Sequence, residues 1–186
     1  MKDDRNRVCP VELANSLDSK IRKWLQNPQR ILSPYIKLGM KVLDIGCGPG
    51  FFSVELAKMV GVNGKVYSVD LQEGMLQKIR NKIYKTPLEQ IIQPIKCEKD
   101  KIILPEKVDF ILAFYMVHEV PVKDKLFKTL KSILNEQGEF LIVEPKLFHV
   151  SKKEFASTIN TARAAGFTVA DGPKLAFSFS SLLKIS

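Results

Sequence analysis

The chain has 186 residues, of which 45% are apolar and 26% charged. That length fits one domain able to bury its own core, and that composition excludes a disordered or low-complexity protein. No apolar run reaches the ~18 residues of a membrane span. The first residues are mixed in charge and lack the apolar stretch of a secretory leader. The three cysteines, Cys9, Cys47 and Cys97, are odd in number and widely spaced. This excludes a disulfide framework or a CxxC zinc site and points to a reducing compartment, so a cytoplasmic protein without a metal is expected. Net charge is +9, but only six of the 29 basic residues are Arg, the residue that grips phosphates and reads bases bidentately. A solvated lysine surface fits this better than a nucleic-acid groove.

In chain order, Val11, Leu13, Leu17, Ile21, Trp24 and Leu25 recur at helical spacing. Asn27 then caps a second helix with Pro28 in its first turn; Leu32, Tyr35 and Ile36 form its buried face, Pro34 kinks or restarts it, and Gly39 stops it. From Lys41 onward short apolar strands alternate with helices. Strands are expected at 42–45, 66–69, 91–97, 108–114, 139–143, 167–170 and 176–185. Helices are expected at 51–60, 72–83, 123–134 and from the capping box Ser151-Lys-Lys-Glu154 to about 165. This order implies a Rossmann-like α/β fold, with a seven-stranded, mainly parallel sheet between helices. Little more than Asp171-Gly172-Pro173-Lys174 separates the last two strands, which must therefore form an antiparallel hairpin. The expected organisation is one domain, with residues 1–40 as a helical lid and 41–186 as the core.

The informative segment is Val42-Leu-Asp-Ile-Gly-Cys-Gly-Pro-Gly50, which ends the first strand and opens a helix. Three glycines permit a sharp turn and a close approach of ligand to backbone. The spacing is G-x-G-x-G, not the G-x-G-x-x-G of a dinucleotide loop, and Pro49 removes an N–H that a pyrophosphate would use. Asp44 beneath the loop would repel a pyrophosphate and suits a ligand with a cationic end.

Asp44-x-Gly46-x-Gly48-x-Gly50 resembles the first motif of class I S-adenosylmethionine-dependent methyltransferases. Val69-Asp70, Val108-Asp-Phe and the terminal hairpin extend the likeness over residues 40–186. Ala113-Phe-Tyr-Met-Val-His-Glu-Val120 is similar to the small stand-alone enzymes of the ubiquinone/menaquinone-biosynthesis type. The resemblance implies S-adenosylmethionine as cofactor and S-adenosylhomocysteine as product. Asp44 would then hold the amino group, with Gly46, Cys47, Gly48 and Gly50 lining the methionine end and loop amides facing the carboxylate. Asp70 suits the ribose hydroxyls, or else caps the following helix. Leu71, Gln72 and Met75 would flank the adenine, beside Cys97 and Glu98, with Asp100 as the competing acceptor of its amino group. Ala113 would touch the cofactor where the fourth strand ends.

On the acceptor side stand Phe114, Tyr115, His118, Glu119, Lys146 and His149, with Tyr35, Trp24 and Cys9 in a lid. His118 and Tyr115 are the candidate catalytic residues, His118 as a general base near its ordinary pKa of ~6.5. Against this, methyl transfer can proceed by alignment alone, with His118 bracing the next helix. The chain lacks the Asn/Asp-Pro-Pro-aromatic motif of nucleobase N-methyltransferases and a cysteine near the fourth strand for cytosine-carbon methylation. Too few cysteines remain for metalloid methylation. A small-molecule acceptor is the leading reading; the alternatives are an RNA or protein methyltransferase, or a protein that binds the cofactor without chemistry.

Overall fold

The computed structural model describes residues 27–98, 101–146 and 150–186. The expected first helix, with Cys9 and Trp24, lies outside these residues, as do Asp100 and His149. Helix α1 (Pro28–Leu32) starts as its sequence directs, with the Asn27 side chain accepting from the Arg30 amide and Pro28 in the first turn. It stops before Pro34, in a turn rather than a kink. Strand β1 (Lys41–Ile45) and helix α2 (Phe51–Val60) follow, then β2 (Lys65–Asp70) and α3 (Glu73–Ile83). A short 3-10 turn, Pro87–Gln90, leads into β3 (Ile92–Lys96). After β4 (Val108–Phe114) come a second 3-10 turn (Val117–Glu119), α4 (Lys123–Ile133), β5 (Leu134–Pro145), α5 (Lys152–Ala164), β6 (Phe167–Asp171) and β7 (Ser178–Ile185). Both halves of the capping box at Ser151 and Glu154 form.

The seven strands make one sheet in the order β3-β2-β1-β4-β5-β7-β6. Pairs among β1 to β5 are parallel, whereas β7 runs antiparallel to both β5 and β6. The architecture is therefore the Rossmann-like sandwich with an antiparallel C-terminal hairpin. Strand β5 begins at Leu134, five residues before the expected Glu139, and follows α4 without a linker. Leu134 pairs with Val108, and the register then slips to Phe110–Glu139. Residues 135–138 fill the irregularity, which period-two patterning does not show.

Alternate side chains of the central strands enter opposite layers, as the pleat requires. Phe110, Leu112 and Phe114 of β4 join the core beneath α1, α2 and α3. Ile111 and Ala113 join the core beneath α4 and α5. Among the described residues no helix is long and apolar enough to cross a membrane.

Candidate active site

The carboxyl ends of β1, β2 and β4 surround a cavity of about 390 Å³. Loops following these strands form its rim, the position where open α/β sheets bind ligands. Its floor is the glycine loop. Gly46, Gly48 and Gly50 all adopt positive φ, at 66°, 53° and 82°. Each glycine has a different reason. A Cβ on Gly46 would lie 2.7 Å from Met116 Cβ, and one on Gly50 would lie 2.8 Å from Ile79 Cγ1. A Cβ on Gly48 would meet nothing within 4 Å, so this glycine keeps space open above the loop.

Helix α3 supports the loop from beneath: besides Ile79 under Gly50, Lys82 Nζ donates to the Pro49 carbonyl at 2.8 Å. The loop's own amides are spent inside the fold. Those of Gly46 and Cys47 reach the Val69 carbonyl, that of Gly50 reaches Cys47, and that of Gly48 donates to Asp70 Oδ2. Pro49 has no N–H. The expectation that these amides face a ligand carboxylate is thus corrected: the turn consumes them.

Two acidic side chains flank the loop. Asp44, 2% exposed, lines the cavity and accepts the Ser53 hydroxyl at 2.6 Å. Asp70, 8% exposed, accepts from Gly48 through Oδ2 and from the Gln72 amide through Oδ1, both at 2.9 Å. It is not a helix cap, because α3 begins after Gln72 without a side-chain cap. Burial raises the Asp70 pKa above its ordinary value, and the bonded amides of Gln72, Gly48 and Leu71 only partly offset this. Cys47 and Cys97 also line the cavity, and burial raises both thiols, Cys97 to about 11. Leu71, Gln72, Met75 and Glu98 complete this side, with Glu98 bridged to Lys101 through paired backbone bonds.

On the β4 side, Phe114, Tyr115 and Glu119 reach the cavity. Phe52, Phe114 and Tyr115 form a run of ring contacts with centroids 4.2 and 4.5 Å apart. Tyr115 is left-handed, φ 61°, and its hydroxyl bonds Ser178 Oγ at 2.6 Å. Sequence reasoning missed Phe52 and the wall of Val122, Lys125, Leu126 and Thr129; for that wall the amphipathic face of α4 was the available signal.

Five expected site residues lie elsewhere. Gly50 does not line the cavity; its left-handed turn rests against Ile79 of α3. Ala113 is fully buried in the core beneath α4 and α5, since its strand parity is opposite to that of Phe114. Tyr35 stacks on Phe110, 5.8 Å between centroids, toward the amino ends of the strands and away from the cavity. Lys146 sits over the Phe179 ring at 5.0 Å and does not line the cavity. His118 does not line it either. Its Nδ1 lies 2.5 Å from Glu144 Oε2, and the ring borders a separate cavity of about 100 Å³ with Lys123, Val150, Glu154 and Thr158. The expected histidine base is corrected by this orientation; of the adjacent pair, Glu119 is the member in the main cavity.

Comparison with known proteins identifies the chain as a class I S-adenosylmethionine-dependent methyltransferase. The chain belongs to the methyltransferase-domain family, whose model matches residues 36–172. It resembles a SAM-dependent methyltransferase from Aquifex aeolicus, with 30% identity, a TM-score of 0.86 and coverage of 96% of this chain and 100% of that one. Among curated relatives, the ubiquinone/menaquinone biosynthesis C-methyltransferase UbiE of Paraburkholderia phymatum is 28% identical over 123 residues, 64% of this chain and 49% of that protein. The chain thus spans about half the length of the curated relatives it matches. Fibrillarin of Aeropyrum pernix, solved with natively bound S-adenosyl-L-methionine, shares the fold at a TM-score of 0.62 and 16% identity, over 79% of this chain and 67% of that one.

Proposed function

We propose that this domain transfers the methyl group of S-adenosylmethionine to a small-molecule acceptor, and that both bind in the cavity above the glycine loop. The observation that carries the reading is the continuity of that cavity, from Asp70 and Cys97 on one side to Phe114, Tyr115 and Val120 on the other. The residues fit the cofactor. Gly48 leaves open space, and two buried carboxylates offer acceptors for cationic and hydroxyl groups. In this reading Asp70 accepts the ribose hydroxyls through its remaining lone pairs, Asp44 holds the amino group, and Leu71, Gln72 and Met75 bracket the adenine with Glu98 at its edge.

When bound, S-adenosylmethionine supplies a methyl group already activated by its sulfonium charge, so the protein's part is to align the acceptor and exclude water. Phe52, Phe114 and Tyr115 give the acceptor side an aromatic wall suited to a flat apolar molecule. Glu119 is the carboxylate placed to take a proton there. The C-methyltransferase activity in the relatives' name makes a carbon acceptor the first class to test. The test is a screen of small-molecule, RNA and protein pools, read by release of S-adenosylhomocysteine. Turnover confined to the small-molecule pools supports the reading; turnover only with RNA or protein, or cofactor binding with no turnover, overturns it.

A further inference from the structure

Glu144, near the end of β5, is 1% exposed. A carboxylate so deeply buried is costly unless both oxygens are bonded. Both are: Oε1 accepts the Val117 amide at 2.8 Å, and Oε2 lies 2.5 Å from His118 Nδ1. These two partners are adjacent residues of one 3-10 turn, Val117–Glu119. Tyr115 and Met116 before it and Glu119 and Val120 at its end line the main cavity. We propose that Glu144 and His118 form a two-point clamp that fixes the loop 115–120 against the cavity, acting as positioning residues that do not touch the acceptor. The reference to the acceptor rests on the function proposed above; the clamp itself does not.

The loop needs a clamp because its first two residues are held under constraint. Tyr115 is left-handed, a conformation that a residue with a side chain keeps only when its surroundings enforce it. Met116 packs so closely on Gly46 that no Cβ would fit between them. A loop shifted by a fraction of an ångström is therefore felt at the glycine loop.

The charges around His118 make the clamp sensitive to pH. Its ring is faced by Glu144 from β5, Glu119 from its own turn and Lys123 from α4, and Glu154 of α5 borders the same small cavity. Burial alone would lower the histidine pKa, but the Glu144 bond and the charges of Glu144 and Glu119 outweigh it, leaving the pKa above the ordinary value. The charge assistance of the bond is thus complete below the ordinary pKa and is lost as pH rises through the folded one, while the neutral ring keeps Nδ1–H as a weaker donor to Glu144.

Amide hydrogen exchange at residues 115–120 and an NMR titration of His118 test this on the full chain, with no acceptor required. After correction for intrinsic exchange, protection of the Val117 amide should fall as His118 deprotonates. His118→Ala should lower that protection at least tenfold. His118→Asn, whose Nδ2 offers Glu144 a neutral donor in place of Nδ1, should hold protection near the parent's high-pH level and remove the pH step. In Glu144→Gln, His118 should titrate below its parent value. The proposal is overturned if the parent shows no step at the His118 titration, or if His118→Ala leaves the loop as protected as before. Should that variant not fold, a pH step persisting in His118→Asn overturns it instead. A failed acceptor screen would alter none of these readouts, so the two readings fail separately.

Discussion

Asp70 Oδ2 accepts the amide of Gly48 at 2.9 Å, tying the end of β2 to the middle of the glycine loop. The same carboxylate holds Gln72 at the mouth of α3, so one side chain shapes both walls of the proposed ribose site. Replacing Asp70 with Ala should weaken S-adenosylmethionine binding by about 1.5–3 kcal/mol, the range for hydrogen bonds to a charged group. Calorimetry on the folded variant measures this. In the parent, affinity should fall as pH drops through the Asp70 pKa, which burial raises above its ordinary value. Asp70→Asn should remove this pH dependence. An alanine variant that binds like the parent would move the ribose contact elsewhere.

Gly46 and Gly48 should respond differently to substitution, although both are left-handed. Gly48→Ala meets open space, so it should cost only ~1–2 kcal/mol for the left-handed backbone. Gly46→Ala carries the same penalty and also collides with Met116, so its stability loss should be larger. Thermal unfolding ranks the two. Gly48→Val should then abolish cofactor binding in a chain that still unfolds cooperatively; if that chain binds normally, the open space above Gly48 is not the cofactor's.

Tyr115 should matter more for its ring than for its hydroxyl. The hydroxyl is bonded to Ser178, which is 5% exposed, so Tyr115→Phe should cost about 0.5–1.5 kcal/mol of stability by breaking that bond. Once an acceptor is known, its turnover should stay within about threefold of the parent, because alignment does not need the hydroxyl. A loss of more than about 10²-fold would make the phenol a proton carrier.

Cys97 should be a sluggish thiol despite lining the cavity. With its pKa at about 11, its thiolate fraction near neutrality is roughly 10²-fold below that of an ordinary cysteine. Iodoacetamide labelling, quantified peptide by peptide, should show Cys97 reacting slowly at pH 7.5 and faster with each added pH unit up to about 11. Rapid labelling at neutral pH would contradict the burial that raises this thiol.

The sequence carried more of the fold than of the site. Helix Phe51–Val60 and strand Val108–Phe114 appear with the boundaries their patterning implied, because each is bounded by glycine or by a sharp change in polarity. Asp44, Asp70, Gly46 and Gly48 meet in one cavity because their spacing fixes them to strand ends and a tight turn. His118 was harder, since a single 3-10 turn has no period from which a side-chain direction can be read. Its partner Glu144 lies 26 residues away on another strand, a relation visible only in the folded chain. Tyr35 had an aromatic side chain suited to a lid, but its position at the amino end of the sheet depends on how α1 packs. Ala113 and Phe114 differ by one residue and therefore by one face, an assignment the unbroken apolar run of β4 conceals.

Ile79 and Lys82 make the glycine loop a joint product of two segments, since the left-handed Gly50 rests on the first and the Pro49 carbonyl on the second. The motif is consequently not portable. Residues 44–50 transplanted into another parallel sheet would arrive without the helix face that shapes them. A chimaera built from this domain should therefore exchange β1 through α3 as one block, and directed evolution of the cofactor pocket has a handle on α3 that never touches the ligand.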